Sequence, residues 1–238
     1  MEILNHGLFY KLVSQQSPYY YVIFCSAIFV VAAVSYLLGS INSAVLFSRT
    51  IYKEDIRSHG SGNAGMTNML RTYGLGAAAL TVVGDMLKTA LSVLFAALVF
   101  GFSYSNGISL CGFCYLAGLC AVLGHVYPIF YGFKGGKGVL VTAAMALILM
   151  PPVFAALISL FVIIVVISRY VSLGSICAAS LLPIAACLYS YFVGGDLPLL
   201  TVICTLFLGG FIVWCHRSNI KRLHDGNEKK ISIGKKEK

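Results

Sequence analysis

The sequence predicts an all-α polytopic membrane protein with about seven transmembrane helices, one of them half-length, its N-terminus outside and its C-terminus cytoplasmic. The 238 residues are 59% hydrophobic and only 11% charged, whereas a soluble domain has about 25% charged residues. Five stretches contain no Asp, Glu, Lys or Arg, and the basic residues cluster between them. A soluble globule is therefore excluded, and so is a disordered chain, which needs low hydrophobicity.

The charge-free stretches divide into seven predicted helices, because a spanning helix needs only about 20 apolar residues. A polar turn at 101–107 divides one stretch, and Pro151-Pro152 divides another since proline breaks a helix. The predicted helices are 20–46, 75–101, 109–130, 139–150, 152–168, 173–193 and 198–215. The fourth is only ~18 Å long. Either it is a half-length helix covered by protein, or 139–168 is one kinked span, which lowers the count to five or six.

The basic residues predict the orientation. Fifteen of the 17 Lys and Arg residues fall within 47–74, 131–138, 169–172 and 216–238, which the seven-helix arrangement places on one side. The basic side of a multi-pass protein is the cytoplasmic side. We therefore expect an outside N-terminal extension over 1–19, a transmembrane domain over 20–215 and a cytoplasmic motif with a basic tail over 216–238.

The segment that ends at Arg71 is a candidate anion site. Three glycines within six positions, Gly60, Gly62 and Gly65, let backbone N–H groups approach a ligand closely. Arg71 can bind an oxyanion through two hydrogen bonds. Neutral donors come from Ser61, Asn63, Thr67 and Asn68. Thr67 or Asn68 is also expected to cap a short helix that leads to Arg71. A plain polar turn, the alternative, would not need so many donors.

A second candidate anion site is Lys134-Gly135-Gly136-Lys137-Gly138, directly before a predicted apolar helix. Backbone N–H groups at a helix N-terminus together with two lysines form a phosphate site. A nucleotide is not implied, because a P-loop requires Ser or Thr where Gly138 follows Lys137. The alternative is a basic membrane anchor, which would need the lysines but not the glycines.

A third motif begins at His216, directly after the last predicted helix. If the helix continues, His216 and Asn219 share a face. A basic cluster attracted to anionic lipid, the alternative, explains the neighbouring Lys and Arg residues but not these two. The residues from Lys230 onward are predicted to be a solvated basic tail.

Three ionisable residues fall inside predicted helices. Charges within a span are costly and face a partner or a cavity. Asp85 and Lys88 lie three positions apart and can pair with each other. His125, near the end of the third predicted helix, is interpreted as structural.

Taken in order, these motifs resemble the acyl-phosphate:glycerol-3-phosphate acyltransferases, small integral-membrane enzymes of bacterial phospholipid synthesis. The resemblance covers about residues 30–231. The matching motifs are Tyr36-Leu-Leu-Gly-Ser-Ile41, Gly60-Ser-Gly-Asn63, Thr67-Asn68 with Arg71, Gly84-Asp-Met-Leu-Lys88, Gly124-His-Val-Tyr-Pro128, Phe133-Lys-Gly-Gly-Lys-Gly-Val139, Ser172-Leu-Gly-Ser175, and the segment from His216 to Leu223.

The resemblance implies transfer of a fatty acyl group from acyl phosphate to the 1-hydroxyl of sn-glycerol 3-phosphate, which gives lysophosphatidic acid and phosphate. It implies a location in the bacterial inner membrane with the site facing the cytoplasm. The implied catalytic residues are Ser61, Arg71, His216 and Asn219, and the implied substrate-binding residues are Asn63, Thr67, Asn68, Lys134, Gly135, Gly136, Lys137, Gly138, Ser172 and Ser175. The implied partners are the two substrates and membrane lipid; no cofactor, metal or nucleic acid is implied.

The sequence departs from the family pattern at a few positions. Met66 replaces a usual Ala, Leu140-Val141 replaces Ala-Thr, and Asn227 replaces the Thr before Glu228. The larger Met66 and Leu140 are expected to alter packing or the fit of the acyl chain.

His216 is the only plausible imidazole base near these loops, but the leaving phosphate can also take the proton. We therefore expect His216 to bind or orient substrate without being an indispensable base. The His-x4-Asp dyad of another acyltransferase class is absent from the sequence. A phosphate-ester transporter, with Asp85 and Lys88 as its gate, is the alternative from a different class of protein.

Overall fold

The computed structural model describes residues 2–101, 104–105, 108–109, 111–194 and 197–231. Within these ranges the regular secondary structure is helical apart from one short antiparallel hairpin. The helices are α1 (Glu2–Leu12), α2 (Tyr20–Ser40), α3 (Ser43–Ile51), α4 (Met66–Tyr73), α5 (Leu75–Phe100), α6 (Cys111–Val126), α7 (Val139–Leu149), α8 (Pro151–Ser168), α9 (Val171–Tyr189), α10 (Leu199–Cys215) and α11 (Arg217–His224). The hairpin strands are β1 (Tyr104–Ser105) and β2 (Ile108–Ser109).

Five helical segments of the described chain are long and apolar enough to cross a membrane. They are Tyr20–Ile51, Leu75–Phe100, Gly112–Tyr131, Pro151–Ser168 and Val171–Val193. A sixth is obtained if α10 and α11, which meet at a bend of 53°, count as one span. Helix α7 is apolar but shorter. The all-helical, multi-span prediction is confirmed, while the count of seven stays a prediction.

Helices α7 and α8 form a hairpin and are not one kinked span. Hydrogen bonds run from Lys137, just before α7, through Asn219 and Glu228 to Ser172, just after α8. The chain therefore leaves and returns to the same end of the bundle between Lys137 and Ser172. Of the two sequence-based alternatives, the structure has the half-length helix, whose inner face packs in the core through residues such as Met145.

The first predicted helix, 20–46, is broken after Ser40. The side chain of Asn42 accepts a hydrogen bond from the N–H of Val45 at 3.0 Å and so caps a new helix, α3. Asn competes for backbone hydrogen bonds and favours such caps over helix interiors. Helices α3 and α4 therefore fold the predicted loop 47–74 into a compact layer. The predicted turn 101–107 contains β1, although residues 102, 103, 106 and 107 lie outside the described ranges.

The N-terminal segment packs against the end of the bundle that lies opposite the glycine-rich loops. The ring of Phe9 in α1 contacts Phe24 of α2 at 5.3 Å between centroids and Phe100, the last residue of α5, at 5.9 Å. Such contacts between aromatic rings stabilise the packing beyond the gain from burying the rings. The other end of α5, at Leu75, follows α4 directly.

Candidate active site

The basic segments converge on one cavity of about 590 Å³ at one end of the bundle. This volume suits a small organic ligand. The mouth of the cavity is polar and its inner arm, between α7, α8 and α9, is apolar. The polar residues around the mouth include Ser61, Asn63, Thr67, Asn68, Arg71, Lys137, Ser172, Ser175, His216, Asn219, Arg222 and Glu228.

Asn68 organises the first glycine-rich loop from inside. Its buried side chain accepts a hydrogen bond from the N–H of Ser61 at 3.0 Å and donates to the carbonyls of Ile56 and His59 at 3.1 and 3.0 Å. Gly60 has a left-handed φ of 59°, and a Cβ there would overlap Asn68. The prediction that Thr67 or Asn68 caps α4 is wrong, because Gly65 occupies the cap position without a side-chain bond.

Arg57, which the sequence reading passed over, ties the two glycine-rich loops together. Its guanidinium donates to the carbonyls of Tyr131 at 2.7 Å and Lys134 at 3.1 Å and pairs with Asp55 at 2.8 Å. The hydrogen bonds from Arg57 hold the pKa of Asp55 well below its usual range. The pair therefore stays ionised and keeps the loops in register.

The glycines of the second loop serve close packing. The N–H groups of Gly135 and Gly136 donate to the carbonyls of Val126 and His125, both at 3.1 Å, so these two amides are not free for a phosphate. A Cβ on either glycine would overlap atoms of His125. Gly138, with a φ of 81°, starts α7 and borders the cavity.

The two lysines of this loop have different surroundings. Lys134 is exposed and does not border the cavity. Lys137 borders it and donates to the side chain of Asn219. Burial and the nearby charge of Arg222 lower the pKa of Lys137 to about 8. Lys137 is therefore the lysine of this motif that can meet a ligand in the cavity.

Glu228 borders the mouth and is hydrogen-bonded to three other side chains around it. It accepts hydrogen bonds from Ser172 and Asn219, both at 2.7 Å, and from Arg222 at 2.8 Å. Burial alone would raise the pKa of Glu228, but these three donors lower it below its usual value. The carboxylate thus orients Asn219 and Arg222 while it stays charged.

Residues 227–231 cross the mouth instead of forming part of a free tail. The carbonyl of Lys229 accepts a hydrogen bond from Arg71 at 3.4 Å, and the N–H of Ile231 donates to the carbonyl of Arg169 at 2.9 Å. Lys230 is exposed, as predicted, although its ammonium lies 5.6 Å above the ring centre of Tyr170. Residues 232–238 of the predicted basic tail lie outside the described residues.

His216 and Asn219 are both buried and both border the cavity, so the predicted shared face is confirmed despite the bend between α10 and α11. The Nδ1 of His216 lies 2.8 Å from the carbonyl of Ile212. Burial lowers the pKa of His216 to about 4, although the Ile212 carbonyl opposes the shift. The imidazole is therefore neutral near pH 7.

Sequence reasoning missed Arg222 and Glu228 as site residues. Arg222 is three positions from Asn219, so a helical reading of α11 would have placed both on one face. Glu228 follows a turn at Gly226, and its distant partner Ser172 gives no local signal. Met66 and Leu140, the larger residues expected to affect the acyl chain, both border the cavity.

The predicted pair inside α5 is confirmed: Lys88 Nζ lies 2.8 Å from Asp85 Oδ1. His125 is buried, as a structural residue would be, but it also borders the cavity together with Asp85. The interpretation of His125 as purely structural is therefore incomplete.

A cation-lined mouth that opens into an apolar arm, within a bundle of membrane-length helices, defines a class of protein. It is the class of integral membrane proteins whose cavity has the shape and charge to suit an anionic group attached to a hydrocarbon chain. Phosphate and acyl-bearing substrates have this character.

The sequence profile of the glycerol-3-phosphate acyltransferases matches residues 29–226, and the chain belongs to this family. The glycerol-3-phosphate acyltransferase of Syntrophomonas wolfei is 43% identical over 197 residues, which are 83% of this chain and 93% of the relative. That of Clostridioides difficile is 40% identical over 205 residues, 85% of this chain and 94% of the relative. The resemblance found in the motifs is thereby confirmed.

Solved structures agree with the sequence relatives. The crystal structure of PlsY (YgiH), an integral membrane glycerol 3-phosphate acyltransferase, in its glycerol 3-phosphate form has a TM-score of 0.74 and 35% identity, and the match covers 87% of this chain and 96% of that one. Its lysophosphatidic acid form has a TM-score of 0.71 at the same identity and coverage. The protein is therefore a multi-pass integral membrane protein.

Proposed function

We propose that this chain transfers a fatty acyl group from acyl phosphate to the 1-hydroxyl of sn-glycerol 3-phosphate and releases lysophosphatidic acid and inorganic phosphate. The main support is that one cavity joins a mouth that includes the cations Arg71, Lys137 and Arg222 to an apolar arm. Two phosphate groups and a hydrocarbon chain need such a combination. The glycerol 3-phosphate and lysophosphatidic acid forms of PlsY support it, since these ligands would be substrate and product here.

The chemistry asks for positioning and charge stabilisation. The 1-hydroxyl oxygen forms an ester bond to the acyl carbon, the bond from that carbon to the phosphate oxygen breaks, and the hydroxyl proton leaves with the phosphate. Acyl phosphate is an activated mixed anhydride, so departure of phosphate needs little help. The cations offset the charge of two phosphates, while Ser61, Asn63 and Thr67 offer neutral donors for orientation.

His216 acts by orienting substrate and does not have to remove the proton. Its neutral ring, with Nδ1 against the carbonyl of Ile212, leaves Nε2 for a ligand. A histidine with a pKa of about 4 is a weak base at neutral pH. The departing phosphate, which is more basic, is the better acceptor for the hydroxyl proton.

The site faces the cytoplasm of a bacterial inner membrane, and the N-terminus, with the extension 1–19, lies outside. The support is the positive-inside asymmetry, since 15 of the 17 Lys and Arg residues fall in the segments whose ends surround the cavity. A protease-sensitive tag tests this orientation. In spheroplasts, whose inner membrane is intact, a protease added outside should cleave a tag at the N-terminus, and a tag at the C-terminus should be protected.

Phosphate release by detergent-purified protein tests the activity. Release from acyl phosphate should require glycerol 3-phosphate, and acyl thioesters should be compared as donors in the same assay. Lys137→Met should abolish most turnover, whereas Lys134→Met is the matched control and should leave it near wild type, because Lys134 lies outside the cavity. Uptake of a phosphate ester by vesicles without turnover would refute the proposal and favour the transporter.

A further inference from the structure

Asp85, Lys88 and His125 form a buried ionisable cluster beneath the glycine-rich loops. The proposed reaction assigns no role to this cluster. Lys88 makes three hydrogen bonds, which exhaust its ammonium donors. They go to Asp85 Oδ1 at 2.8 Å, to the carbonyl of Ile41 at 3.0 Å and to His125 Nδ1 at 2.9 Å. Asp85 also accepts from Ser43 at 3.0 Å. The pair of opposite charges is thereby neutralised and fully bonded inside the bundle.

This cluster fixes the tautomer of His125. The Nδ1 of His125 lies 2.9 Å from the Lys88 ammonium but 3.6 Å from Asp85 Oδ1, which is beyond hydrogen-bond distance. Nδ1 therefore accepts from Lys88, and the ring proton is on Nε2. The ring is therefore neutral and presents one N–H donor. Among the described residues, no side chain or carbonyl accepts from Nε2, although the side chain is only 5% exposed. His125 borders the polar part of the cavity next to Asp85.

Thr142, in the first turns of α7, offers a second donor of the same kind. Its side-chain oxygen is buried without a hydrogen-bond partner in the described part of the chain. A helical Thr commonly donates to the carbonyl four positions earlier, but Thr142 does not bond Gly138 in this way. Thr142 borders the cavity. A buried hydroxyl without a partner is costly unless a ligand supplies the partner.

Both donors border the cavity beside the lysine loop, and Thr142 lies where the polar mouth meets the apolar arm. Thr142 is one turn beyond Gly138, at the end of the lysine loop, and Ala146, one turn further, is already in the apolar arm. His125 packs against Gly136 of the same loop. The acyl carbonyl joins the phosphate to the hydrocarbon chain, so this boundary is where that carbonyl has to lie when the two ends occupy the mouth and the arm.

We propose that the hydroxyl of Thr142 and the Nε2–H of His125 donate hydrogen bonds to the carbonyl oxygen of the acyl donor and stabilise its negative charge during transfer. Two preorganised neutral donors in a site shielded from water suit a developing oxyanion. The cations of the mouth remain paired with the phosphate groups of the two substrates. This inference rests on the proposed function, and it makes both residues catalytic and assigns Asp85 and Lys88 to positioning.

The Thr142→Val variant tests the hydroxyl, with Thr142→Ser as its matched control. Valine has nearly the same shape and removes only the unpartnered hydroxyl, so the free energy of unfolding should not fall. We expect kcat to fall by about 10²-fold while KM for glycerol 3-phosphate changes by less than about threefold. Thr142→Ser should stay within about tenfold of wild type. An unchanged kcat in Thr142→Val would overturn the proposal for this residue.

His125→Gln and His125→Asn separate the catalytic role from a structural one. A glutamine amide reaches the position of Nε2 and keeps the cavity donor, whereas an asparagine amide reaches the position of Nδ1 and keeps only the contact with Lys88. We expect His125→Gln to retain about tenfold more kcat than His125→Asn. The reverse order, or a rise in KM for glycerol 3-phosphate with unchanged kcat, would mean that His125 only supports the loop.

The wild-type assay keeps the two proposals apart. If wild-type protein releases no phosphate from acyl phosphate with glycerol 3-phosphate, the proposed function fails. If wild type turns over and both Thr142→Val and His125→Asn match its kcat, the function stands and the inference fails. Should a His125 variant not fold, as measured by thermal unfolding in detergent, the Thr142 pair still decides.

Discussion

Loss of the charge on Lys137 should limit substrate capture at alkaline pH. Burial and the charge of Arg222 lower the pKa of Lys137 from 10.5 to about 8. In the free enzyme, about nine-tenths of this lysine is then protonated at pH 7 and about one-tenth at pH 9. Only the ammonium form attracts a phosphate dianion. We therefore expect kcat/KM for glycerol 3-phosphate to fall about tenfold between pH 7 and pH 9.

The assay measures phosphate release at saturating acyl phosphate and low glycerol 3-phosphate, from about pH 6.5 to 9.5 at constant ionic strength. Spontaneous hydrolysis of acyl phosphate at each pH is subtracted with a protein-free sample. Lys137→Arg is the control, because a guanidinium keeps its charge throughout this range. Its larger side chain will lower the absolute rate, but the decline above pH 8 should disappear.

Two results would refute this reasoning. A wild-type profile that stays level to about pH 9.5 would show that the pKa of Lys137 is not lowered. A decline of the same shape in Lys137→Arg would assign the titration to another group of the site.

Three further changes test other parts of the site. His216→Gln should keep measurable turnover at saturating substrate, and a loss of about 10⁴-fold in kcat would instead identify His216 as the base. Glu228→Gln should lower the free energy of unfolding in detergent by about 1–3 kcal/mol. The pKa of Glu228 is lowered in the folded state, so the whole difference between wild type and variant should be seen above pH 4.5, the usual pKa of this group. The difference should shrink as the pH falls through the pKa of the folded state. Phe154→Ala, in the apolar arm, should favour longer over shorter acyl phosphates by about tenfold in kcat/KM. Ile167→Ala is the control and should not, because Ile167 is 79% exposed and lies outside the cavity lining.

The sequence predicted the helical class and most helix positions because the apolar stretches are long and their ends are marked by charges or proline. It placed α8 within one residue of its observed start at Pro151. It did not predict the break at Asn42, since one neutral polar residue inside a long apolar stretch changes the mean hydropathy of that stretch very little. A cap such as Asn42 is a local signal that the length of a charge-free stretch does not reveal.

The candidate site was predictable in so far as its residues lie in local motifs. The loop with Ser61 and Arg71, the lysine loop with Lys137 and the face with His216 could all be read from spacing, and the structure brings them to one cavity. Glu228 could not, because its importance arises from partners far away in sequence. The same limit applies to Lys134, which looks equivalent to Lys137 in the sequence. Only the folded loop shows that Lys137 borders the cavity and that Lys134 is exposed outside it.

The mouth of the cavity depends on contacts between residues that are very distant along the chain. Arg71 meets Lys229 across 158 positions, and Lys137 meets Asn219 across 82. Residues 227–231 are held mainly by hydrogen bonds to groups around the mouth, whereas the core beneath them is packed by large apolar side chains. Local opening costs least where contacts are few. Residues 227–231 should therefore exchange their amide hydrogens with solvent before the helices of the bundle do, which hydrogen exchange in detergent would measure.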